Sequence, residues 1–292
     1  MAEVAVVTDS THYMPPEVVA RHKLRIVSLY VRWGEPPRDE READLPDFDG
    51  FYGHLRAARE LPTTSQPSVG DFLEVYEPLL EQGRDIVSIH ISGGISGTVR
   101  SAEQARDQLL ERGIDPERIE IVDSATACAG VGLLAVAAAN AAEAGAGAAA
   151  AAERARALRA DMKILFAVDT LEFLRRGGRI GGAQAWIGST LKIKPILAIE
   201  SEIVPIERVR TWSRAFERLV DHLSALREDG KDRFFVQHIQ AVDQAEKIAE
   251  RGTAIFGRPP EFVSEMGPVI GAHAGPGLIG VTALRDELLG PV

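Results

Sequence analysis

Residues 89–98 read Ile-His-Ile-Ser-Gly-Gly-Ile-Ser-Gly-Thr, and this stretch joins a predicted strand to a predicted helix. The residues before it are mainly apolar, which is typical of a buried strand, and residues 99–112 repeat apolar side chains at helical spacing. A helix that opens from a glycine-rich loop presents unpaired backbone N–H groups, which suit a phosphate or a carboxylate. Ser96 and Thr98 add hydroxyls that can donate to the same anion. The simpler interpretation is that Ser96 only caps the helix.

Predicted strands alternate with helices through the first half of the chain, and the strands end in polar clusters. Asp9 follows the strand at residues 4–7, and Asp123 follows the strand at residues 119–122. Open α/β sheets bind ligands at the carboxyl ends of their strands, so both carboxylates are candidates for a site, although each can instead cap a turn or helix. The alternation predicts an α/β domain over residues 1–160, with a mainly parallel sheet and helices on both faces.

The pattern changes in the second half of the chain. Residues 193–199 and 203–210 read as two paired strands, and residues 213–226 and 242–256 read as helices. Hairpin-like strands mixed with helices predict an α+β domain over residues 161–292. We expect a ligand pocket between the two domains.

Composition indicates the compartment and excludes some partners. The chain has 292 residues, a formal net charge of -10 and 45% hydrophobic residues, which argues against nucleic acid or an anionic membrane as its main partner. Cys128 is the only cysteine, so no intrachain disulfide forms, and a reducing cytoplasm fits. We interpret Cys128 as a small buried residue. No signal peptide is visible, and the alanine-rich tract at residues 129–152 is broken by Asn140 and Glu143, so no integral membrane segment is expected.

A hydroxyl-rich segment between two prolines is the second candidate for ligand binding. Residues 61–68 contain Thr63, Thr64 and Ser65, and the prolines at both ends predict an irregular extended loop. The loop either forms a hydrogen-bonding wall for a ligand or is only a connector.

Arginines and histidines supply the remaining candidates. Residues 175–182 hold three arginines among four glycines, a pattern that favours an anion, an acidic partner surface or simply a solvated loop. His273 stands in a predicted loop at residues 268–277 without a second metal ligand at suitable spacing, so a hydrogen-bonding role is expected and a metal site is not. His90 lies inside a strand pattern and is expected to be a satisfied core histidine.

Several common catalytic signatures are missing from the sequence. The loop at residues 93–98 has no Walker lysine, and the chain has no nucleophile elbow, metal-binding His-Glu helix or dinucleotide fingerprint. The residues alone therefore predict a two-domain α/β protein with a neutral, hydroxyl-lined anion pocket.

Taken together, the motifs resemble the DegV family, which includes the bacterial fatty-acid-binding FakB subunits. The order and extent of the matches carry this resemblance, because no single motif is specific. The matching segments are residues 7–11, 62–68, 95–98, 122–124, 169–172 followed by 176–180, 193–197, 209–211 and 267–280.

The resemblance implies a non-catalytic lipid-binding subunit without a metal or a cofactor. It implies one long-chain fatty acid buried between the domains, presented to a separate ATP-dependent fatty acid kinase that makes an acyl phosphate for phospholipid synthesis. By resemblance, the carboxylate ligands are Thr64 and Ser96 first, then Thr63, Ser65 and Thr98, with His273 beside the head group. The candidates for docking the kinase or steering the acyl phosphate are Arg176, Arg179 and Arg210.

The chain departs from the family pattern at one position, and two alternative functions stay open. Many family members have a second serine where this chain has Gly93, so one hydroxyl donor of the loop is expected to be lost. The first alternative is an enzyme that acts on a small phosphorylated or carboxylated metabolite, with Asp9 or Asp123 as base. The second is a lipid-responsive regulatory protein. A deep apolar tunnel ending at Ser96 would favour the lipid.

Overall fold

The computed structural model describes residues 2–58, 60–187 and 193–292. The strands are β1 (Val4–Asp9), β2 (Arg25–Val27), β3 (Tyr30–Trp33), β4 (Arg38–Arg41), β5 (Thr63–Ser65), β6 (Asp85–His90), β7 (Ile119–Asp123), β8 (Leu165–Ala167), β9 (Lys194–Glu200), β10 (Glu202–Val209), β11 (Arg233–His238), β12 (Val263–Glu265) and β13 (Ile279–Leu284). The helices are α1 (Pro16–Arg21), α2 (Asp49–Ala57), α3 (Val69–Glu81), α4 (Thr98–Glu111), α5 (Ala129–Glu143), α6 (Ala148–Asp161), α7 (Glu172–Arg176), α8 (Trp212–Glu228), α9 (Val242–Phe256), α10 (Pro268–Ala274) and α11 (Asp286–Leu289).

The first sheet is parallel and has the strand order β2-β1-β6-β7. Side chains of β1 alternate between its faces: Val7 packs with α3 and α4, whereas Val6 packs with α5 and α6. Helices therefore cover both faces, as predicted. The sequence Ser68-x-x-Asp71 is a capping-box pattern, and the two residues form a reciprocal capping box at the start of α3.

The second sheet has six strands in the order β10-β9-β8-β13-β11-β12, and β11 with β12 is its parallel pair. Helices α8 and α9 cover one face. On the other face, Phe166 and Leu197 join a cluster with Ile91 and Val131 of the first half of the chain. The predicted hairpin is confirmed as β9 and β10, which turn at Ser201. The inner face of this sheet thus packs towards the first sheet.

A small antiparallel sheet of order β4-β3-β5 corrects two predictions. The apolar pattern of residues 25–33 predicts one strand, but β2 and β3 lie in different sheets. Residues 61–68 were expected to be irregular, but β5 pairs with β3, with Thr64 opposite Val31. The prolines at 62 and 67 bound this short strand without entering it, so they do not remove its hydrogen bonds.

Residues 268–277 were predicted to be a loop, and they contain the helix α10 instead. Pro268 lies at its first position and Gly275 follows its end with a φ of 75°, which is the usual asymmetry of helix ends. The sequence pattern of residues 183–191 predicts a helix. Gly181–Trp186 forms a 3-10 turn, and residues 188–192 lie outside the described residues.

The boundary between residues 160 and 161 stays a prediction. Residues of the first sheet and of α5 and α6 share a core cluster with Phe235, Phe262 and Leu284 of the second half. Over the described ranges, no helix combines the length and apolar character needed to cross a membrane.

Candidate functional site

A cavity lies between the two large sheets, and its walls come from both halves of the chain. It encloses about 1060 Å³ of space between atoms, a volume that includes the solvent of its open mouth. Most of its wall is apolar. The large apolar side chains that line it are Leu29, Ile91, Ile95, Ile164, Phe166, Leu174, Ile199, Ile203, Met266, Val269, Ile270, Leu278 and Val281.

Polar side chains collect where β5, α10 and the loop after β6 meet. Thr64, Ser65, Ser96 and His273 all line the cavity there. Thr64 Oγ1 lies 2.7 Å from His273 Nε2, which is a hydrogen bond between β5 and α10. The structure thus brings together the Thr-Thr-Ser segment, the Ser-Gly-Thr loop and the C-terminal histidine, which are far apart in sequence.

Ser96 has a hydroxyl partner behind it. Its Oγ lies 2.8 Å from Thr98 Oγ1, and Thr98 is fully buried at the first turn of α4. Thr98 itself is not part of the cavity wall. Thr98 can donate to Ser96, and the Ser96 hydrogen is then available to a ligand.

His273 is neutral at pH 7. Burial lowers its pKa to about 4, the positive charge of Arg179 acts in the same direction, and the backbone of Gly177 opposes both. The fit around the ring is tight, because a Cβ atom on Gly177 would lie 2.3 Å from Nδ1. Among the described residues, Nδ1 has no hydrogen bond of normal geometry. The tautomer of the ring decides whether Nε2 donates to Thr64 or accepts from it.

Arg179 lies at the mouth of the cavity. Its guanidinium donates to the carbonyl oxygens of Ile95 at 3.2 Å and Gly177 at 2.8 Å, so it ties the loop after β6 to the turn after α7. Within the described part of the lining, Arg179 is the one residue with a full charge at pH 7. The side chain is exposed, so its charge is shared with solvent.

Three other candidate residues lie outside the cavity wall. Thr63 precedes Thr64 in β5, so the two side chains point to opposite faces, and Thr63 is exposed. Arg176 ends α7 and Arg210 follows β10, and both are exposed. The cavity therefore receives Thr64, Ser65, Ser96, His273 and Arg179.

Asp9 and His90 belong to the core of the first sheet. Asp9 Oδ2 accepts the amide of Ile91 at 2.8 Å and lies 3.2 Å from His90 Nδ1, while His90 Nε2 lies 2.6 Å from Ser88 Oγ. Both Asp9 and His90 are fully buried. The prediction of a satisfied core histidine is confirmed.

Gly93 and Asp123 face each other beside the cavity. The Gly93 amide donates to Asp123, and a Cβ atom on Gly93 would lie 2.9 Å from Asp123 Oδ2. A side chain at position 93 would therefore meet this carboxylate. Ser92 is also occupied elsewhere, because its Oγ donates to the carbonyl of Ser201 at 2.7 Å. Neither Ser92 nor Gly93 lines the cavity.

The sequence patterns did not identify most of the wall. Cys128 lines the cavity, where its Sγ contacts Met266 Sδ at 3.6 Å, and burial raises the pKa of its thiol. Gln237 also lines it, but its amide is engaged with Ala129 N and Ser264 Oγ. Apolar residues around a cavity have the same periodicity as residues of a filled core, so no local signal marks them.

Fold and site define a mixed α/β protein with two large sheets and an apolar cavity that has one polar end. The chain belongs to the DegV family: the family described as "Uncharacterised protein, DegV family" matches residues 3–286. A DegV domain-containing protein of Streptomyces coelicolor is 40% identical over 282 residues, which are 95% of this chain and 97% of that protein.

Two solved structures have the same fold over nearly their whole length. DegV from Bacillus subtilis, described as a fatty acid binding protein, has a TM-score of 0.86 at 35% identity and matches 98% of this chain and 100% of its own. A DegV family protein from Thermus thermophilus, described by its fatty acid binding, has a TM-score of 0.85 at 35% identity and matches 97% of this chain and 99% of its own.

Proposed function

We propose that this protein binds one long-chain fatty acid, with the acyl tail in the apolar cavity and the carboxylate at its polar end. The observation that carries the proposal is the cavity itself, whose wall is mostly apolar and includes Thr64, Ser96 and His273. Burying about fifteen methylenes at roughly 0.8 kcal/mol each supplies about 12 kcal/mol, from which several kcal/mol of association cost must be subtracted. The tail therefore provides enough affinity, and the head group needs mainly orientation.

The head group is proposed to receive hydrogen bonds from two hydroxyls. When His273 Nε2–H donates to Thr64 and Thr98 donates to Ser96, the hydrogens of Thr64 and Ser96 both remain free for carboxylate oxygens. Hydrogen bonds to a charged group contribute about 1.5–3 kcal/mol each, which is ample for orientation.

We propose further that the loaded protein is not itself catalytic and presents the carboxylate to a separate kinase. In that reaction a carboxylate oxygen attacks the γ-phosphorus of ATP, the bond to the bridging oxygen breaks, and acyl phosphate and ADP form. Neutral hydroxyls support such a role, because they hold the carboxylate without an ion pair that the kinase would have to break. The exposed Arg176 and Arg210 are candidates for kinase docking, and Arg179 is a candidate at the mouth.

Mass spectrometry of the natively purified protein tests the lipid. Organic extraction under denaturing conditions should release a fatty acid in near-stoichiometric amount. Absence of fatty acid, together with failure of the lipid-free protein to bind palmitate, would refute the proposal.

Two neighbouring threonines test the head group with a matched control. Thr64→Val removes the hydroxyl at the cavity and keeps the shape and strand propensity, and Thr63→Val makes the same change on the exposed face of β5. We expect palmitate binding to weaken by about tenfold or more in Thr64→Val and to stay unchanged in Thr63→Val. Equal effects of the two changes would reject Thr64 as a carboxylate ligand.

The enzyme alternative receives less support from the geometry. Asp9 is bonded in the core and Asp123 accepts loop amides, and neither lines the cavity. The regulatory alternative makes a different prediction: palmitate would bind, but addition of a bacterial fatty acid kinase and ATP would yield no acyl phosphate that hydroxylamine can trap.

A further inference from the structure

Glu42 is a buried carboxylate that the proposed function does not use. It is 3% exposed and accepts three hydrogen bonds, from Ser10 Oγ, Tyr13 Oη and the amide of Val269, each at 2.7 Å. Among the described residues it has no ion-pair partner. Burial of an unpaired carboxylate is costly, so its position calls for a reason beyond packing.

One of the three hydrogen bonds to Glu42 comes from the first turn of α10. Gly267, the residue before the helix, has no side chain that can cap it, and Pro268 has no N–H to be capped. The next two amides are satisfied from a distant part of the chain: Val269 donates to Glu42, and Ile270 donates to Tyr13 Oη at 3.3 Å. Glu42 and Tyr13 thus replace a local N-cap residue.

Gly267 allows this close approach. A Cβ atom at position 267 would lie 2.7 Å from Tyr13 Cε1, 2.8 Å from Phe48 Cζ and 2.9 Å from Glu42 Oε1. On the other side of the same turn, Tyr52 Oη donates to the Met266 carbonyl at 2.5 Å. The start of α10 is therefore fixed from several directions.

The same small sheet also holds the other end of α10. Glu42 directly follows β4, and Thr64 lies in β5 of that sheet. His273, one helical turn after Val269, is bonded to Thr64. The cavity wall includes Val269, Ile270 and His273, so any shift of α10 against this sheet moves both the wall and the polar end.

We propose that Glu42 is a positioning residue, which anchors the first turn of α10 to the three-stranded sheet and so keeps His273 within hydrogen-bond distance of Thr64. Its consequence for ligand binding rests on the proposed function, because His273 and Thr64 are the head-group residues there. Glu42 itself does not line the cavity and acts through α10.

The charge of Glu42 changes close to neutral pH. Burial raises its pKa to about 7, although its three hydrogen-bond donors and the neighbouring Asp9 also act on it. The other titratable groups that interact with it are Tyr13, Tyr52 and Cys128, all neutral at that pH. The strength of the anchor is therefore expected to depend on pH.

Hydrogen exchange and the His273 ring resonances test the anchor in the lipid-free protein. In Glu42→Ala we expect the amides of Val269 and Ile270 to exchange about five- to tenfold faster, the size expected for a lost helix cap, and the ring signals of His273 to shift. Glu42→Gln keeps an acceptor oxygen and should restore most of the protection. Asp44→Asn, an exposed change in the same turn, is the matched control.

Palmitate binding separates this inference from the proposed function. We expect Glu42→Ala to weaken palmitate binding about as much as Thr64→Val does, and Glu42→Gln to weaken it less. Unchanged exchange or unchanged His273 signals in Glu42→Ala would overturn the inference, as would faster exchange with unchanged palmitate affinity. If Glu42→Ala does not fold, Tyr13→Phe, which removes the Ile270 acceptor, decides by the same readouts. If the unmodified protein does not bind palmitate, the proposed function fails. Hydrogen exchange and the His273 signals then still show whether Glu42 anchors α10.

Discussion

Glu42 accepts a hydrogen bond from the first turn of α10, and His273 lies in the last turn of the same helix. The pKa values of the two side chains are shifted in opposite directions. Burial raises the pKa of Glu42 from 4.5 to about 7 and lowers that of His273 from 6.5 to about 4. We predict that Glu42→Gln and His273→Gln change the pH dependence of stability in opposite directions. Each change replaces a titrating side chain with a neutral one of comparable polarity.

The sign follows from proton binding in the two states. Between about pH 4.5 and 7, folded Glu42 keeps a proton that the unfolded chain has lost, so the unfolding free energy falls as pH rises. Between about pH 6.5 and 4, the unfolded chain protonates His273 and the folded protein does not, so the unfolding free energy falls as pH falls. At about 1.4 kcal/mol per pKa unit, each contribution reaches roughly 3 kcal/mol.

Urea denaturation of lipid-free protein from pH 4.5 to 7.5 measures both effects. Each variant is compared with the unmodified protein at the same pH, so that contributions of other groups cancel. Relative to the unmodified protein, Glu42→Gln should gain about 3 kcal/mol as pH rises, His273→Gln should lose up to about 3 kcal/mol, and the double variant should change little. Asp44→Asn should run parallel to the unmodified protein. Parallel curves for Glu42→Gln or His273→Gln would contradict the assigned shifts.

Three further changes probe the tail, the core and the surface. Gly280 lines the cavity, and a side chain there would first meet carbon atoms at 3.5 and 3.7 Å. Gly280→Leu should therefore fold but weaken palmitate relative to decanoate by about fourfold per displaced methylene; equal weakening of both would argue against tail contact. His90→Ala removes the ring bonded to the buried Asp9 and leaves a cavity, so calorimetry or urea titration should show a loss of about 2–4 kcal/mol, and a loss below about 1 kcal/mol would contradict the pairing. Arg210→Glu should slow acyl-phosphate formation more than it lowers bound lipid, and the reverse order would place Arg210 at the ligand.

Periodicity predicted the larger elements well because they bury one strong apolar face. The helix at residues 242–256 and the hairpin of β9 and β10 have the expected type and nearly the expected bounds. The parallel first sheet follows from the same reasoning, since its strands alternate with helices. These elements carry the fold, and they bring the loop after β6 and β5 to the same side of the molecule.

Shorter elements depend on contacts that lie far away in sequence. Residues 63–65 are polar and become a strand only because β3, some thirty positions earlier, offers a free edge. That pairing also decides that Thr64 faces the cavity and Thr63 faces solvent, which the motif alone cannot distinguish. The capping role of Glu42 is equally hidden, because its partner Val269 is 227 positions away.

The distribution of charge around the cavity supports a ligand whose head group must stay reactive. Arg179 lies at the mouth with two of its five N–H groups bonded to the carbonyl oxygens of Ile95 and Gly177, so it provides positive potential there. Inside, His273 is neutral and its neighbours are hydroxyls, which can rotate as the head group changes charge or shape. A tight carboxylate–arginine pair would add affinity that the tail already supplies, and it would have to be broken before phosphoryl transfer. In the proposed function, holding the tail strongly and the head weakly is therefore what allows a bound fatty acid to be both retained and used.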